Sequence, residues 1–372
     1  MITKKCAYEG NKDITTEQLS QLGWTSHFQT QLQEDCSDDL IPARVVGVRK
    51  NSLYTRNAKR EWIATVAGRL KHQPHGLYPV TGDWVLMTDA VIYKVLNRKN
   101  ALSRGASGTR GKQDAQPRRE QIIAANLDTV FIVCGLDRDF NLRRIERYLT
   151  LVYNCGLHPV IVLTKADLHQ DPTPYLREVE TIAFGVSIHL TSALDGKALP
   201  ALEEYLSPGK TTTMVGSSGA GKSTLLNRLY GDTVQATGSV SESDGKGKHT
   251  TTSRDLIVMP QGGMVIDNPG IREIAFWKDD DGIDAAFPEI ERFSEECRFS
   301  DCSHIHEPGC RVLQAAADGE MPHGRLESYQ KMKRELTYLS QRQHKSADRV
   351  EKEQWKAVAM KIKAINNRRR GQ

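Results

Sequence analysis

At 372 residues the chain is too long for one core and predicts two or three domains. Its 38% hydrophobic and 26% charged residues suit a globular chain, and no apolar run approaches the ~20 residues of a membrane-spanning helix, which argues against a membrane protein. The net charge of +5 is unevenly spread: residues 41–120 hold 16 basic and 5 acidic groups and residues 331–372 hold 13 and 4, while residues 121–330 hold 19 and 30, a pattern that suits a nucleic acid gripped at both ends.

The N-terminus, MITKKCAYEGNKD, has no apolar stretch of the kind a secretory signal needs, so the cytoplasm is the expected location. Residues 1–40 are polar and acidic and read as an extension, with one short helix over Thr16–Gly23. Short strands follow at Ala43–Val48, Glu61–Ala67, Asp83–Met87 and Val91–Leu96, separated by turn residues, which predicts a small barrel of the OB type. Arg44, Arg49, Lys50, Arg56, Lys59, Arg60, Arg69 and Lys71 are interleaved there with Tyr54, Trp62 and Trp84. Phosphate attraction plus base stacking needs that mixture, although each tryptophan taken singly reads as core. Residues 106–122 are polar and read as a linker.

From residue 127 strands alternate with helices: Leu127–Cys134, a helix over Asn141–Asn154, Val160–Leu163, a helix over Tyr175–Ala183, and Val186–Leu190. This predicts a mostly parallel sheet whose ligand sits at the C-terminal strand ends. The strand at Val160–Leu163 delivers Thr164-Lys165-Ala166-Asp167, and the next one Thr191-Ser192-Ala193. A carboxylate at Asp167 can accept from both N1–H and the exocyclic amine of guanine, with the Lys165 stem across the ring and a backbone N–H of Ser192-Ala193 toward O6.

Thr211–Val215 is β-branched and apolar, a strand, and 216–224 read GSSGAGKST before a helix that runs to Tyr230. That is G-x-x-x-x-G-K-[ST], with Gly216, Gly221, Lys222 and Ser223 in the fixed places and Ser217, Ser218, Gly219, Ala220 and Thr224 completing the loop. Glycines let successive N–H groups turn inward as an anion nest at a helix N-terminus; Lys222 then reaches the β- and γ-phosphates as a catalytic charge, and the Ser223 hydroxyl can ligate Mg²⁺.

Residues 231–255 are rich in Gly, Ser and Thr and read as a long loop. A hairpin of Leu256–Met259 and Met264–Ile266 then ends in Asp267-Asn268-Pro269-Gly270, where Asp267 can hold the magnesium. Thr250, Thr251 and Thr252 can each complete the magnesium shell, and Thr251, the middle one, stands for them in the expected site. The water-orienting Gln found after such an Asp-x-Pro-Gly is Ile271 here, which leaves His249 as the nearest polar group for that role. Near the end, CRFSDCSHIHEPGC at 297–310 offers Cys297, Cys302 and Cys310 with His304 or His306, a closed set of the kind that holds structural zinc. A basic helical tail, Leu326–Arg370, closes the chain.

The phosphate loop, Thr run and Asp-x-Pro-Gly are shared with translation-factor-type GTPases, but Thr164–Asp167 and Ser192-Ala193 precede them here rather than follow. This circularly permuted order, with GKGKHTTT at 245–252 and the cysteine cluster, resembles the RsgA (YjeQ/YloQ) family of small-ribosomal-subunit-dependent GTPases over residues 41–372. The resemblance implies an N-terminal OB-fold barrel (41–112) after the extension (1–40), a central permuted α/β GTPase domain (113–280) and a C-terminal helical zinc domain (281–372). It implies a cytoplasmic GTPase of late small-subunit maturation that binds the subunit and its rRNA, as a monomer, with Mg²⁺ carried on GTP and one structural zinc. It supports His249 as the water-positioning residue and His304 as the nitrogen ligand. Thr164 departs from the family's Asn, whose amide fixes both the phosphate loop and guanine N7, so a weaker hold on guanine is expected. In the permuted order the segment after Gly270 runs straight into the last domain, which could carry its movement there. Two alternatives remain: an RNA-binding assembly factor with nucleotide as a structural ligand, and an ATPase.

Overall fold

The computed structural model describes residues 15–34, 40–49, 52–71, 78–105, 120–192, 199–232, 254–268 and 281–344. Two compact units are present, Met1–Ser103 with Ile122–Ile274, and Arg104–Gln121 with Ala275–Gln372.

The first unit opens with α1 (Thr16–Ser20), started by a reciprocal cap in which the Thr15 hydroxyl accepts from the Gln18 N–H and the Gln18 side chain accepts from the Thr15 N–H. A second helix, α2 (Ser26–Glu34), escapes sequence reading because only Phe28 and Leu32 among its nine residues are apolar. Its Phe28 is fully buried and, with Trp24, packs on Trp84, the Trp24 and Trp84 rings meeting edge-on at 4.7 Å. Residues 15–34 are thus anchored by aromatic burial.

The barrel comprises β1 (Ile41–Val48), β2 (Leu53–Arg56), β3 (Glu61–Val66), a turn of helix α3 (Gly68–Lys71), β4 (Trp84–Thr88) and β5 (Val91–Val95). The strand order β1-β2-β3-β5-β4 closes through a second pairing of β4 with β1, an OB-type barrel, and β2, missed in the sequence, supplies the needed fifth strand. Alternate residues such as Val45, Leu53, Ala64, Met87 and Ile92 fill it. Trp84 is fully buried and Trp62 packs partly on the barrel core, so Trp84 is no stacking platform; Tyr54, Ile63 and Tyr93 are exposed side chains on the barrel strands instead.

A two-stranded ribbon follows, β6 (Ala101–Gly105) with β7 (Glu120–Ala125). The end of the expected linker, residues 120–122, is therefore strand, while residues 106–119 lie outside the described residues.

The α/β layer consists of β8 (Thr129–Gly135), α4 (Leu142–Asn154), β9 (Pro159–Thr164), α5 (Thr173–Glu180), β10 (Ser187–Leu190), α6 (Leu199–Glu203), β11 (Thr211–Val215), α7 (Lys222–Tyr230), β12 (Arg254–Val258) and β13 (Met264–Asp267). Its order is β10-β9-β8-β11-β13-β12, parallel except for the β12–β13 hairpin. Phe131, Val133, Val162, Leu202, Met214, Leu225 and Val265 build one core beneath it. Such continuous apolar strands suit a sheet covered on both faces.

The barrel and this layer share one sheet. Past a register shift between Val45 and Gly47, the end of β1 stays paired with Tyr54 and Leu53 of β2 on one side, while on the other Gly47 and Val48 pair with Asp255 and Arg254 of β12. Arg49 then grips Asp255 with both nitrogens, at 2.6 and 2.9 Å. Arg44, almost fully buried, donates to the carbonyls of Leu22, Gly82 and Asn126, joining helix, barrel and β8 entry at one point. Burial lowers its pKa to about 10, opposed by the charges of Asp128 and Asp83.

The second unit is helical: α8 (Asp281–Ala286), α9 (Pro288–Ser294), α10 (Arg311–Ala317) and α11 (His323–His344). Ile283, Phe287, Ile290, Val312, Leu326 and Tyr329 are among its buried side chains. Within them Arg325 donates to Glu289 at 2.7 Å and to the Ala286 carbonyl at 3.0 Å, and lies 4.1 Å over the Phe287 ring. Residues 345–372, including Arg368–Arg370, lie outside the described residues. Among the described residues no helix is long and apolar enough to cross a membrane.

Candidate functional site

Register places the motifs together. Gly135 pairs with Thr164, and Val215 with Ile132, so β8, β9 and β11 end at one edge, where β13 delivers Asp267. Residues 216–224 begin there. Gly216 has φ +150°, and a Cβ on it would lie 2.2 Å from the Val133 carbonyl oxygen, so the turn out of β11 admits only glycine. The Lys222 ammonium donates to the carbonyls of Gly216, at 2.8 Å, and Ser217, at 2.5 Å, inside the curve of its own loop. Ser218 and Gly219 form the exposed crest, Ala220 is buried beneath it, and Ser223 and Thr224 begin the first turn of α7.

Asp267 ends β13, and its position is fixed by groups that no motif names. Asn268 donates to the Thr213 hydroxyl at 2.9 Å, and that hydroxyl donates to the Ile266 carbonyl at 2.8 Å, locking the end of β13 to β11.

At the end of β9, Lys165 has a left-handed backbone (φ 62°), and its side chain reaches the 216–224 loop: Nζ donates to the Gly219 carbonyl at 2.7 Å and to Asp137 at 2.6 Å. Ala166 donates to the Thr191 carbonyl at 3.1 Å, and Thr191 to the Leu163 carbonyl at 2.8 Å, which seats Ser192 beside this turn. Ser192 is buried, whereas Asp167 is exposed on a single 3₁₀ turn, Ala166–Leu168.

The Thr164 hydroxyl donates to the Ala220 carbonyl at 2.6 Å, a tie between β9 and the phosphate loop made without an amide. The neighbouring Cys134 thiol is pushed up to about 11 by burial, a neutral packing group. Ala193, His249, Thr250, Thr251, Thr252, Pro269, Gly270 and Ile271 lie outside the described residues.

A second cluster lies between α9 and α10, where Cys297, Cys302, His304 and Cys310 hold their ligand atoms within 4.8 Å of one another. The His304 Nδ1 is 3.4 Å from the Cys310 sulfur and 3.7 Å from that of Cys297, and the two sulfurs are 3.9 Å apart. Ligands about 2.3 Å from a tetrahedral ion stand about 3.8 Å from each other, so the spacing fits one metal ion. His304 adopts φ 54° and its carbonyl accepts from Gln330, which points the ring inward, while His306 is exposed. Burial works against ionisation of Cys297, yet the backbone N–H groups of Val312 and Arg311 hold its thiol below the ordinary value. Glu307 braces the loop, accepting from the Ser303 side chain and from the N–H groups of Ile305 and His306.

Comparison with known proteins agrees with this geometry. The sequence model "RsgA GTPase" matches residues 95–277. A model of the ABC transporter family matches residues 199–368, a stretch that contains the phosphate loop but not the Thr164–Asp167 turn. The Small ribosomal subunit biogenesis GTPase RsgA of Syntrophotalea carbinolica is 42% identical over 347 residues, covering 91% of this chain and 95% of that protein. The protein of the same name from Opitutus terrae is also 42% identical, over 357 residues, with the same coverages. Among solved structures, YjeQ from Thermotoga maritima superposes with TM-score 0.59 at 30% identity, covering 80% of this chain and 99% of that one. YloQ, described as a circularly permuted GTPase, superposes with TM-score 0.55 at 23% identity over 80% and 95%, a likeness of fold. With its Thr164–Asp167 turn upstream of its 216–224 loop and this similarity along nearly its whole length, the chain belongs to the RsgA GTPase family.

Proposed function

We propose that this chain hydrolyses GTP to GDP and phosphate in response to the small ribosomal subunit, during that subunit's maturation in the cytoplasm. The observation that carries the reading is the gathering of the 216–224 loop, Thr164–Asp167, Ser192 and Asp267 at one sheet edge, in a chain so similar to proteins named for that task. Loop N–H groups and Lys222 bind the phosphates; Lys222 exchanges its loop carbonyls for phosphate oxygens. Asp167 reads the guanine edge, Ser192 and Ala193 face O6, and Lys165 lies across the ring. Ser223, Asp267 and Thr251 would hold the magnesium that accompanies GTP, which would neutralise charge developing on the phosphates. His249 orients the attacking water; a His249→Ala variant should bind GTP normally and lose subunit-stimulated turnover, and undiminished stimulated turnover would refute this role.

Cys297, Cys302, His304 and Cys310 would hold one zinc ion, which closes the loop and leaves no open position for substrate. The barrel meets rRNA with Arg49 stacked 5.3 Å over exposed Tyr54, Arg60 4.8 Å over Trp62, and Tyr93 exposed nearby. We read domains at 41–112, 113–280 and 281–372 after the 1–40 extension, in a monomer. The test is hydrolysis of GTP and ATP in parallel, with and without small subunits. GTP turnover that rises with subunits supports the reading; turnover indifferent to them supports a nucleotide that is only structural, and equal use of ATP an ATPase.

A further inference from the structure

Two carboxylates that belong to no nucleotide motif reach into both halves of the site. They sit in the loop between β8 and α4, at Asp137 and Asp139. Asp137 takes the Lys165 ammonium at 2.6 Å, and the same ammonium donates to the Gly219 carbonyl at 2.7 Å. Asp139 accepts the hydroxyl of Ser217, in the phosphate loop, and is held by Arg144 on α4. The loop is itself rigid: the Asp139 N–H donates to Asp137 Oδ1 at 3.0 Å, the Phe140 N–H to the Asp137 carbonyl at 3.0 Å, and Asn141 caps α4. Gly135 makes room, since a Cβ there would lie 3.0 Å from the Asp137 carboxylate and 3.4 Å from the Lys165 stem.

We propose that Asp137 and Asp139 are positioning residues for the nucleotide, one holding the lysine that covers the base and the other holding the phosphate loop, so that the β8–α4 loop is a third wall of the site. The inference rests on the guanine-nucleotide reading above. The reason is conformational. Lys165 has four rotatable side-chain bonds and a left-handed backbone, and its stem can lie flat on a ring only if its tip is tethered. Gly219 alone offers a carbonyl, whereas Asp137 adds a charge. Burial opposes ionisation of Asp137, but the Lys165 hydrogen bond and the Asp139 N–H hold its carboxyl below the ordinary range. Ser217 likewise sits on the crest approach of a loop whose shape is its function, and Asp139 ties that crest to α4.

The experiment measures GDP and GTP affinity by fluorescent-nucleotide titration on the full chain. Asp137→Ala and Asp139→Ala should each weaken both nucleotides, by about fivefold, the size expected of a half-exposed charge contact. Two double-mutant cycles separate positioning from general damage. With Lys165→Met, which keeps the stem and removes the charge, Asp137→Ala should cost nothing further; with Ser217→Ala, the same holds for Asp139→Ala. Asp137→Glu should recover most of the lost affinity. Losses that simply add in both cycles, or variants as tight as the parent, overturn the proposal. Should either alanine variant fail to fold, Asp137→Asn and Asp139→Asn are put through the same cycles. A parent chain that binds no guanine nucleotide would overturn the functional reading itself, a different result from a binding parent with indifferent variants.

Discussion

Thr164→Val tests the tie between the two halves of the nucleotide site. The substitution keeps the branched shape at a position only 4% exposed and removes one hydroxyl, the donor to the Ala220 carbonyl at 2.6 Å. Because no volume is lost, the cavity cost of a truncation is absent, and the effect isolates the hydrogen bond. A buried acceptor deprived of its donor costs about 1–2 kcal/mol, and if that falls on the bound shape of the loop, GDP affinity drops about five- to thirtyfold. Thr164→Ser keeps the hydroxyl and loses a methyl group, so it should bind within about threefold of the parent. The assay is equilibrium titration with a fluorescent GDP analogue, with thermal melting alongside to register stability. If valine binds as tightly as threonine, or serine is as damaging as valine, the hydroxyl does not position the loop.

The Cys/His cluster and its loop yield two further predictions. Cys310→Ser should abolish stoichiometric zinc, measured by elemental analysis of the purified chain, and lower the melting of the helical unit, because Cys310 both lines the cluster and caps α10 through the Leu313 N–H at 3.5 Å; a full complement of zinc in that variant would refute the ligand set. Glu307 lies below its ordinary value of 4.5 because the Ser303 side chain, then the Ile305 and His306 N–H groups, stabilise its charge. A depressed carboxyl adds stability that is fully present above the unfolded value and is lost as pH falls through the folded one. The difference in melting temperature between the parent and Glu307→Gln should therefore be constant from neutral pH down to about 5 and close at lower pH; a gap that widens with acid contradicts the assignment.

The parts most legible in the sequence are those whose cause is local. Thr211–Val215 is a strand because five β-branched or apolar residues precede a turn that only glycine can make, and both signals lie within nine positions. The α4 helix has a capping Asn141 and an apolar face at Ile145, Leu149 and Val152, again a short-range pattern. The cysteine spacing carried its chemistry in the same way, though only the inward turn of His304 separates it from His306. By contrast, α2 has only two apolar residues in nine and is held by one ring of a barrel it precedes, and β2 is four residues with two turned outward. Trp62 and Trp84 are chemically alike in the chain and differ only in where the barrel puts them.

What the sequence alone determined is a GTPase of the RsgA family, since the phosphate loop and the turn proposed to read the base each need residue types at fixed spacing along a few turns of backbone. What only the tertiary structure decided is which distant groups steady them: Asp137 on Lys165, Asp139 on Ser217, Thr164 on Ala220, and the join of barrel to sheet at Arg49 and Asp255. Those contacts link residues from 28 to 206 positions apart. No local pattern encodes them, because strand order and register, set by burial across the whole sheet, bring the partners within reach.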